Sequence, residues 1–476
     1  MRVLLEGPVL TKSGYGEHAR LVYKALKSRN DIEVLVDPLA WGHTTWSQPD
    51  EEMLEDIRSL GRYAKACEQA KQNPDFAVQI HVGIPNEFQK KAPYSVCVTA
   101  GIETDRVSPS WLVKTHQGLD KLIVPSEHAK AGFVNTAYEI INKTNETTTQ
   151  INCACPVDVI HYPVKSPSGD SLNIGLETDF NFLSIALVGP RKNLEMTIGG
   201  FVREFRENDN VGLVLKTSLG RSTTIDRQKT LEETSKFLES LGPKKCKVYL
   251  IHGDLTESEI HSLYMHPKIK AYVSTTHGEG YGLPVFEAVY SGLPVIATDW
   301  SGHLDFLSGP LKGKNKKLFA RIDCDIKQVA ETAVWKDIIT EDSRWAYPSE
   351  SSYKTQMRKV YNNYGMYKKW ASILQSQAEI NHKLEDILDK YNESIFGNFV
   401  SKSGDVKQLR DEALAIENVK SRAKFAKKVT SDPEMPQKEK LDFLKDLFRG
   451  DTAYLVSCGP TDRKSTRLNS SHLLIS

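Results

Sequence analysis

The chain runs twice through the same alternation of short apolar segments and longer amphipathic ones, and that repetition constrains its fold most. In the first run, Val3–Leu5, Ile32–Val36, Ala77–His81, Tyr94–Thr99 and Lys121–Val124 read as strands, with helices expected over Tyr15–Ser28 and from about residue 50 to 72. In the second, Phe182–Val188, Val211–Lys216, Lys247–His252, Ala271–Thr275 and Pro294–Thr298 read as strands between helices at Met196–Glu207, Ile225–Leu241, Ser258–Tyr264 and Pro284–Ser291. Strands separated by segments of helical length specify βαβ units and parallel sheets. Residues 161–178, rich in Pro, Ser and Gly, have the composition of a connector. The expected fold class is α/β: two Rossmann-like, doubly wound domains facing a cleft, over residues 1–165 and 175–365. Beyond them the pattern turns helical, with a charged helical extension over residues 401–452.

A net charge of +1 over 476 residues gives no global pull towards nucleic acid or anionic membranes, so any basic site must be local. Seven scattered cysteines form no disulfide framework, and the Cys153/Cys155 pair lacks the spacing of a zinc site. No stretch reaches the roughly 18 apolar residues of a spanning helix. The N-terminus reads as a strand and not as a signal segment. These features point to the cytoplasm, with no transmembrane segment, and the sequons at Asn142 and Asn145 are then chance. Residues 453–461 look like the start of a further domain. The tail Asp462–Ser476, DRKSTRLNSSHLLIS, resembles a translated sequencing adapter; it is set aside, and the natural protein is expected to be longer.

The segment that carries chemistry is His277-Gly278-Glu279-Gly280-Tyr281-Gly282-Leu283-Pro284-Val285-Phe286-Glu287-Ala288. A strand feeds a glycine-rich loop, Pro284 suits the first turn of a helix, and Gly292 closes that helix. Glycine lets a ligand approach the backbone closely, and a helix start presents unpaired amides and a positive dipole end. Gly280, Tyr281, Gly282 and Leu283 therefore read as a diphosphate site. Two acids beside a diphosphate are better used on hydroxyls: Glu279 on a sugar, and Glu287, expected in the first helical turn, on a ribose. His277 is placed to touch phosphate or sugar, or else to pack with a fixed tautomer.

The Glu279-x7-Glu287 spacing, within GEGYGLPVFEAVYSGLPVIAT and continuing through Asp299–Asp305, resembles the signature of the family 4 glycosyltransferases of GT-B fold. The likeness extends over roughly residues 1–395, with residues 366–400 expected to cross back to the N-terminal domain. It implies a hexosyltransferase that takes mannose, glucose or a similar sugar from a nucleotide-diphosphate donor, with retention of configuration and no metal or other cofactor. The acceptor, whether glycan, lipid-linked or protein, is left open, and no nucleic acid partner is expected. Within this resemblance, Arg191 and Lys192 of the Pro-Arg-Lys-Asn turn stabilise the leaving diphosphate. Gly14 and Gly16 close over the donor phosphates from the other domain. Glu103 is the nearest candidate to face the acceptor, and His252–Leu255 lie by the nucleobase.

The chain departs from the family pattern twice. Leu187 stands where many members carry arginine, which shifts the burden to Arg191, Lys192 and Lys216. Gly101 stands where many carry histidine, so no histidine role is transferred. Asp323-Cys324-Asp325 is a DxD, but Asp325 reads as the cap of a helix IKQVAETAV and not as a metal ligand. Two other readings compete: a catalytically silent nucleotide-sugar binding module, and a phosphorylase-like enzyme on the same fold.

Overall fold

Parallel pairing organises both halves of the chain. The computed structural model describes residues 1–42, 44–141, 148–167 and 172–397, and the backbone of two short strands, Ala453–Leu455 and Leu473–Ile475. The sequons at Asn142 and Asn145, the helical extension expected over 401–452 and most of the tail lie outside the described residues.

The first sheet contains β1 (Arg2–Gly7), β2 (Glu33–Pro38), β3 (Val78–Val82), β4 (Tyr94–Val98), β5 (Lys121–Val124) and β6 (Val157–Val159), in the order β2-β1-β3-β4-β5-β6. The second contains β7 (Phe180–Ile185), β8 (Val211–Lys216), β9 (Lys247–Ile251), β10 (Ile269–Ser274), β11 (Val295–Thr298) and β12 (Ala320–Ile322), in the order β9-β8-β7-β10-β11-β12. Every pairing within these two sheets is parallel. Both orders are doubly wound, and each reverses beside its first strand, where ligands of such sheets bind beyond the carboxyl ends.

The strands read as continuous apolar runs because helices cover both faces. Phe182, Phe201, Phe205 and Tyr353 are buried in the second core, and Phe88, Trp111 and Phe133 in the first. Burial of each such ring contributes roughly 1.5–3 kcal/mol. After the second sheet, the helix Glu350–Asn362 packs its Tyr353 into that core, and the helix Tyr364–Asn381 lies against the helix of the glycine loop. A further helix starts at residue 384, and its Tyr391 hydroxyl meets Nε2 of buried His18 in the first half at 2.7 Å. Met1–Tyr391 forms one compact unit and Asn392–Ser476 another. In the latter, Ala453–Leu455 pairs antiparallel with Leu473–Ile475.

The continuous helix expected at IKQVAETAV does not form; its helical part is a single 3-10 turn, Glu331–Ala333. Cys324–Gln328 is a strand paired antiparallel with Arg344–Pro348, so Asp325 faces Tyr347 across a ladder and caps nothing. That partner is distant in sequence, and pairing with it overrides the local helical pattern. Among the described residues no helix is long and apolar enough to cross a membrane.

Candidate active site

The loops that leave β7 and β10 emerge side by side at the reversal point of the second sheet, and between them they carry the charges of the site. After β7, a turn of 3-10 helix, Pro190–Lys192, is closed by Asn193 in the left-handed conformation, with φ 52°. After β10, the glycine loop leads into the helix Leu283–Tyr290, whose cap, Gly282, also needs a positive φ of 91°. Gly292 follows that helix at φ 66°, where a side chain would be strained.

The structure brings Arg191, Lys192, Glu279 and Glu103 together. Lys192 Nζ lies 2.6 Å from Glu279 Oε1, and Arg191 Nη1 lies 2.9 Å from Glu279 Oε2. Arg191 also donates to the Gly278 carbonyl at 2.8 Å and reaches Glu103, from the loop after β4, at 3.4 Å. Glu279 is only 7% exposed, so its charge depends on these partners. Burial works against its charged form, yet Lys192 and Arg191 hold its carboxyl down at about 2. The Lys192 ammonium is pulled below its usual range by burial and by Arg191, in spite of Glu279.

The Glu279 backbone is fixed from the loop after β11. Its amide donates to Ser301 Oγ at 2.9 Å, and its carbonyl accepts from the Gly302 amide at 2.9 Å. Ser301 holds φ 86°, a conformation rare for a serine, and supplies a positioning contact that the sequence pattern did not single out. The amides of Gly280, Tyr281, Gly282 and Leu283 donate to no acceptor among the described residues. A small cavity beside this loop is lined by Ser184, Lys192, Thr197, Thr275, Glu279 and Pro284.

Several expected site residues have other work. A Cβ on Gly280 would meet the Ala100 carbonyl at 1.8 Å, and one on Gly278 the Glu103 carbonyl at 2.0 Å. At those two positions it is the chain itself, from the first half, that approaches the bare backbone. Ser126 Oγ donates to the Gly280 carbonyl at 2.5 Å in the same contact. Gly16 is likewise required by packing, with the Thr11 carbonyl 2.1 Å from its notional Cβ, whereas Gly14 faces open space. The side chain of Tyr281 is buried against Tyr162, Phe286 and Phe306, so only its amide is available to a ligand.

Glu287 is the fifth residue of the helix Leu283–Tyr290, in its second turn and not its first. It accepts from the Tyr264 hydroxyl at 2.8 Å, and burial pushes its carboxyl up to about 7. His277 takes the packed arrangement. Its ring stacks on Trp345 at 4.8 Å, and its Nδ1 lies 2.6 Å from the Ala346 carbonyl, which fixes the proton on that nitrogen.

Lys216, at the end of β8, pairs in register with Ile185, the last residue of β7, and so stands at the start of the loop that carries the basic turn. Burial lowers its pKa while Asp254 opposes the shift. Asp254 also reaches Lys12 of the first half, Nζ to Oδ2 at 3.4 Å. His252 is spent on Asp226, at 2.7 Å. Leu187 is exposed and adds no charge.

No protein-family profile and no curated protein matches the sequence. Solved structures do match. HepE from Anabaena, crystallised with UDP and glucose, superposes with a TM-score of 0.51 at 13% identity, over 83% of this chain and 100% of that one. Sucrose-phosphate synthase from Thermosynechococcus elongatus gives 0.53 at 13% identity, over 84% and 100%. The trehalose-6-phosphate synthase OtsA gives 0.52 at 9% identity, over 83% and 99%. At these identities the likeness is one of fold, and the chain has the GT-B architecture of two Rossmann-like sheets.

Proposed function

We propose that this chain is a retaining glycosyltransferase, similar to family 4, that moves a hexose from a nucleotide-diphosphate sugar to an acceptor hydroxyl in the cytoplasm. One observation carries the reading. Two cations, two carboxylates and a run of unspent amides converge at the reversal point of a doubly wound sheet, against a loop of the other sheet. Structural neighbours bound to UDP and glucose, or to UDP-glucose, support a nucleotide-sugar donor. The six described cysteines are free, in keeping with a reducing compartment.

In this reading the amides of Gly280–Leu283 take phosphate oxygens, with Arg191, Lys192 and Lys216 supplying positive charge. Glu279 accepts from sugar hydroxyls and Glu287 from the ribose, each such bond contributing roughly 1.5–3 kcal/mol. The bond between the sugar carbon and the diphosphate oxygen breaks, and the acceptor oxygen bonds to the same carbon from the same face. The acceptor proton passes to the departing phosphate oxygen. Negative charge grows on the diphosphate during this step, and the reading assigns its neutralisation to Arg191 and Lys192 and not to a metal. Before the donor enters, Arg191 and Lys192 hold the Glu279 carboxylate; in this reading it then accepts from sugar hydroxyls and does not attack carbon.

The test is a thermal-shift panel of GDP-, UDP- and ADP-sugars on the purified chain, followed by assay of donor hydrolysis and transfer. Stabilisation by one nucleotide sugar with slow release of its sugar is expected. Stabilisation without any turnover would favour a silent binding module, and no stabilisation by any of them would remove the reading.

A further inference from the structure

Arg191 and Lys192 already have an anion. Glu279 spreads its two carboxylate oxygens over both cations, at 2.9 and 2.6 Å. A diphosphate that takes those cations competes with Glu279 for them, and what a displaced carboxylate finds next then decides the outcome. At 7% exposure it cannot be left to water. A buried charge that loses its partners is costly unless new donors replace them. The hydroxyls of a sugar attached to the diphosphate are such donors, and a diphosphate without a sugar brings none.

Resting on the donor-site reading above, we propose that Glu279 makes the site selective for sugar-bearing diphosphates over sugar-free ones. It trades its two cations for sugar hydroxyls when the donor enters, and takes them back once the sugar has left. The anchoring of its backbone by Ser301 and Gly302 lets the side chain change partners while the loop stays in place. Glu103, which holds Arg191 at 3.4 Å from the opposite half, keeps one countercharge on that guanidinium throughout the exchange and leaves Lys192 as the cation most exposed to it. The device opposes inhibition by the nucleoside diphosphate product, because product binding leaves Glu279 buried and unpartnered.

The test is calorimetry on the full chain with inorganic pyrophosphate and with the nucleotide sugar selected by the thermal-shift panel. Glu279→Gln is expected to bind pyrophosphate about tenfold tighter than the wild type, equivalent to about 1.4 kcal/mol, and the nucleotide sugar no tighter. Pyrophosphate binding unchanged in Glu279→Gln, while Lys192→Ala still weakens it, would overturn the inference and leave the donor site standing. Pyrophosphate binding indifferent to Lys192→Ala would instead bring down the donor-site reading, and the inference with it. Should Glu279→Gln fail to fold, Glu279→Asp serves. Its shorter side chain cannot span both cations, so pyrophosphate should bind several-fold tighter, and wild-type affinity would again overturn the inference.

Discussion

Glu103 and Arg191 come from opposite halves of the chain and meet at 3.4 Å. Arg191 continues to Glu279 and Glu279 to Lys192, so acids and bases alternate along one line across the two sheets. Each member is partly withdrawn from water, which makes the contacts stronger than exposed ion pairs and makes removal of one member felt by its neighbour.

Lys192→Ala removes one of the two cations that pair with Glu279. Affinity for a nucleoside diphosphate is expected to fall about tenfold or more, with the bare nucleoside little affected. Titration calorimetry with both ligands checks this, and an equal loss for the two would contradict the role in binding phosphate.

Glu279→Ala takes away the proposed sugar-hydroxyl contact. Turnover should drop on the order of a hundredfold, with a much smaller change in donor KM, because the contact matters most as the glycosidic bond breaks. A raised KM with turnover unchanged would make Glu279 a binding residue only.

Gly280→Ala places a methyl group 1.8 Å from the Ala100 carbonyl. The loops must separate, at a cost of about 1–3 kcal/mol and a lowered melting temperature. Gly14→Ala, whose added carbon meets nothing, should leave the melting temperature within error. If it still lowers donor affinity, the Gly14 loop closes over the donor; thermal unfolding and donor titration together separate the two effects.

Glu287 has its carboxyl raised by burial from 4.5 to about 7. The folded state therefore keeps a proton that the unfolded state loses, and stability declines as pH rises between those two values. The decline is on the order of 3 kcal/mol at full effect. Glu287→Gln should flatten the dependence of melting temperature on pH over that window, and an unaltered profile would mean that another group titrates.

Tyr391→Phe leaves the buried Nε2 of His18 without its hydroxyl partner at 2.7 Å. A loss of about 1–3 kcal/mol is expected in chemical denaturation. A neutral result would show that the helix starting at residue 384 docks through its apolar contacts alone.

Legibility of the fold followed burial. Strands covered on both faces need unbroken apolar residues, so Val3–Leu5 and Val211–Leu215 announce themselves. The three-residue strands Val157–Val159 and Ala320–Ile322, and the short helices Pro109–His116 and Glu127–Val134, were not singled out, because segments so short carry too little periodicity. Cys324–Gln328 misled for a different reason: its ladder partner, Arg344–Pro348, lies beyond any local window.

The acids and bases of the site were readable as residue types in glycine-rich or strand-end turns. The sequence by itself determined two doubly wound sheets and the loops that bear Arg191, Lys192, Glu279 and Glu287, since backbone form follows from local hydrophobic period and turn chemistry. Only the tertiary structure decided that Glu279 neutralises the two cations, that Gly280 is bare to admit Ala100 and that Glu287 leans on Tyr264. Electrostatic and steric partners are selected by separations of a few ångströms in space, and those separations arise only when the loops of different strands are brought to one edge.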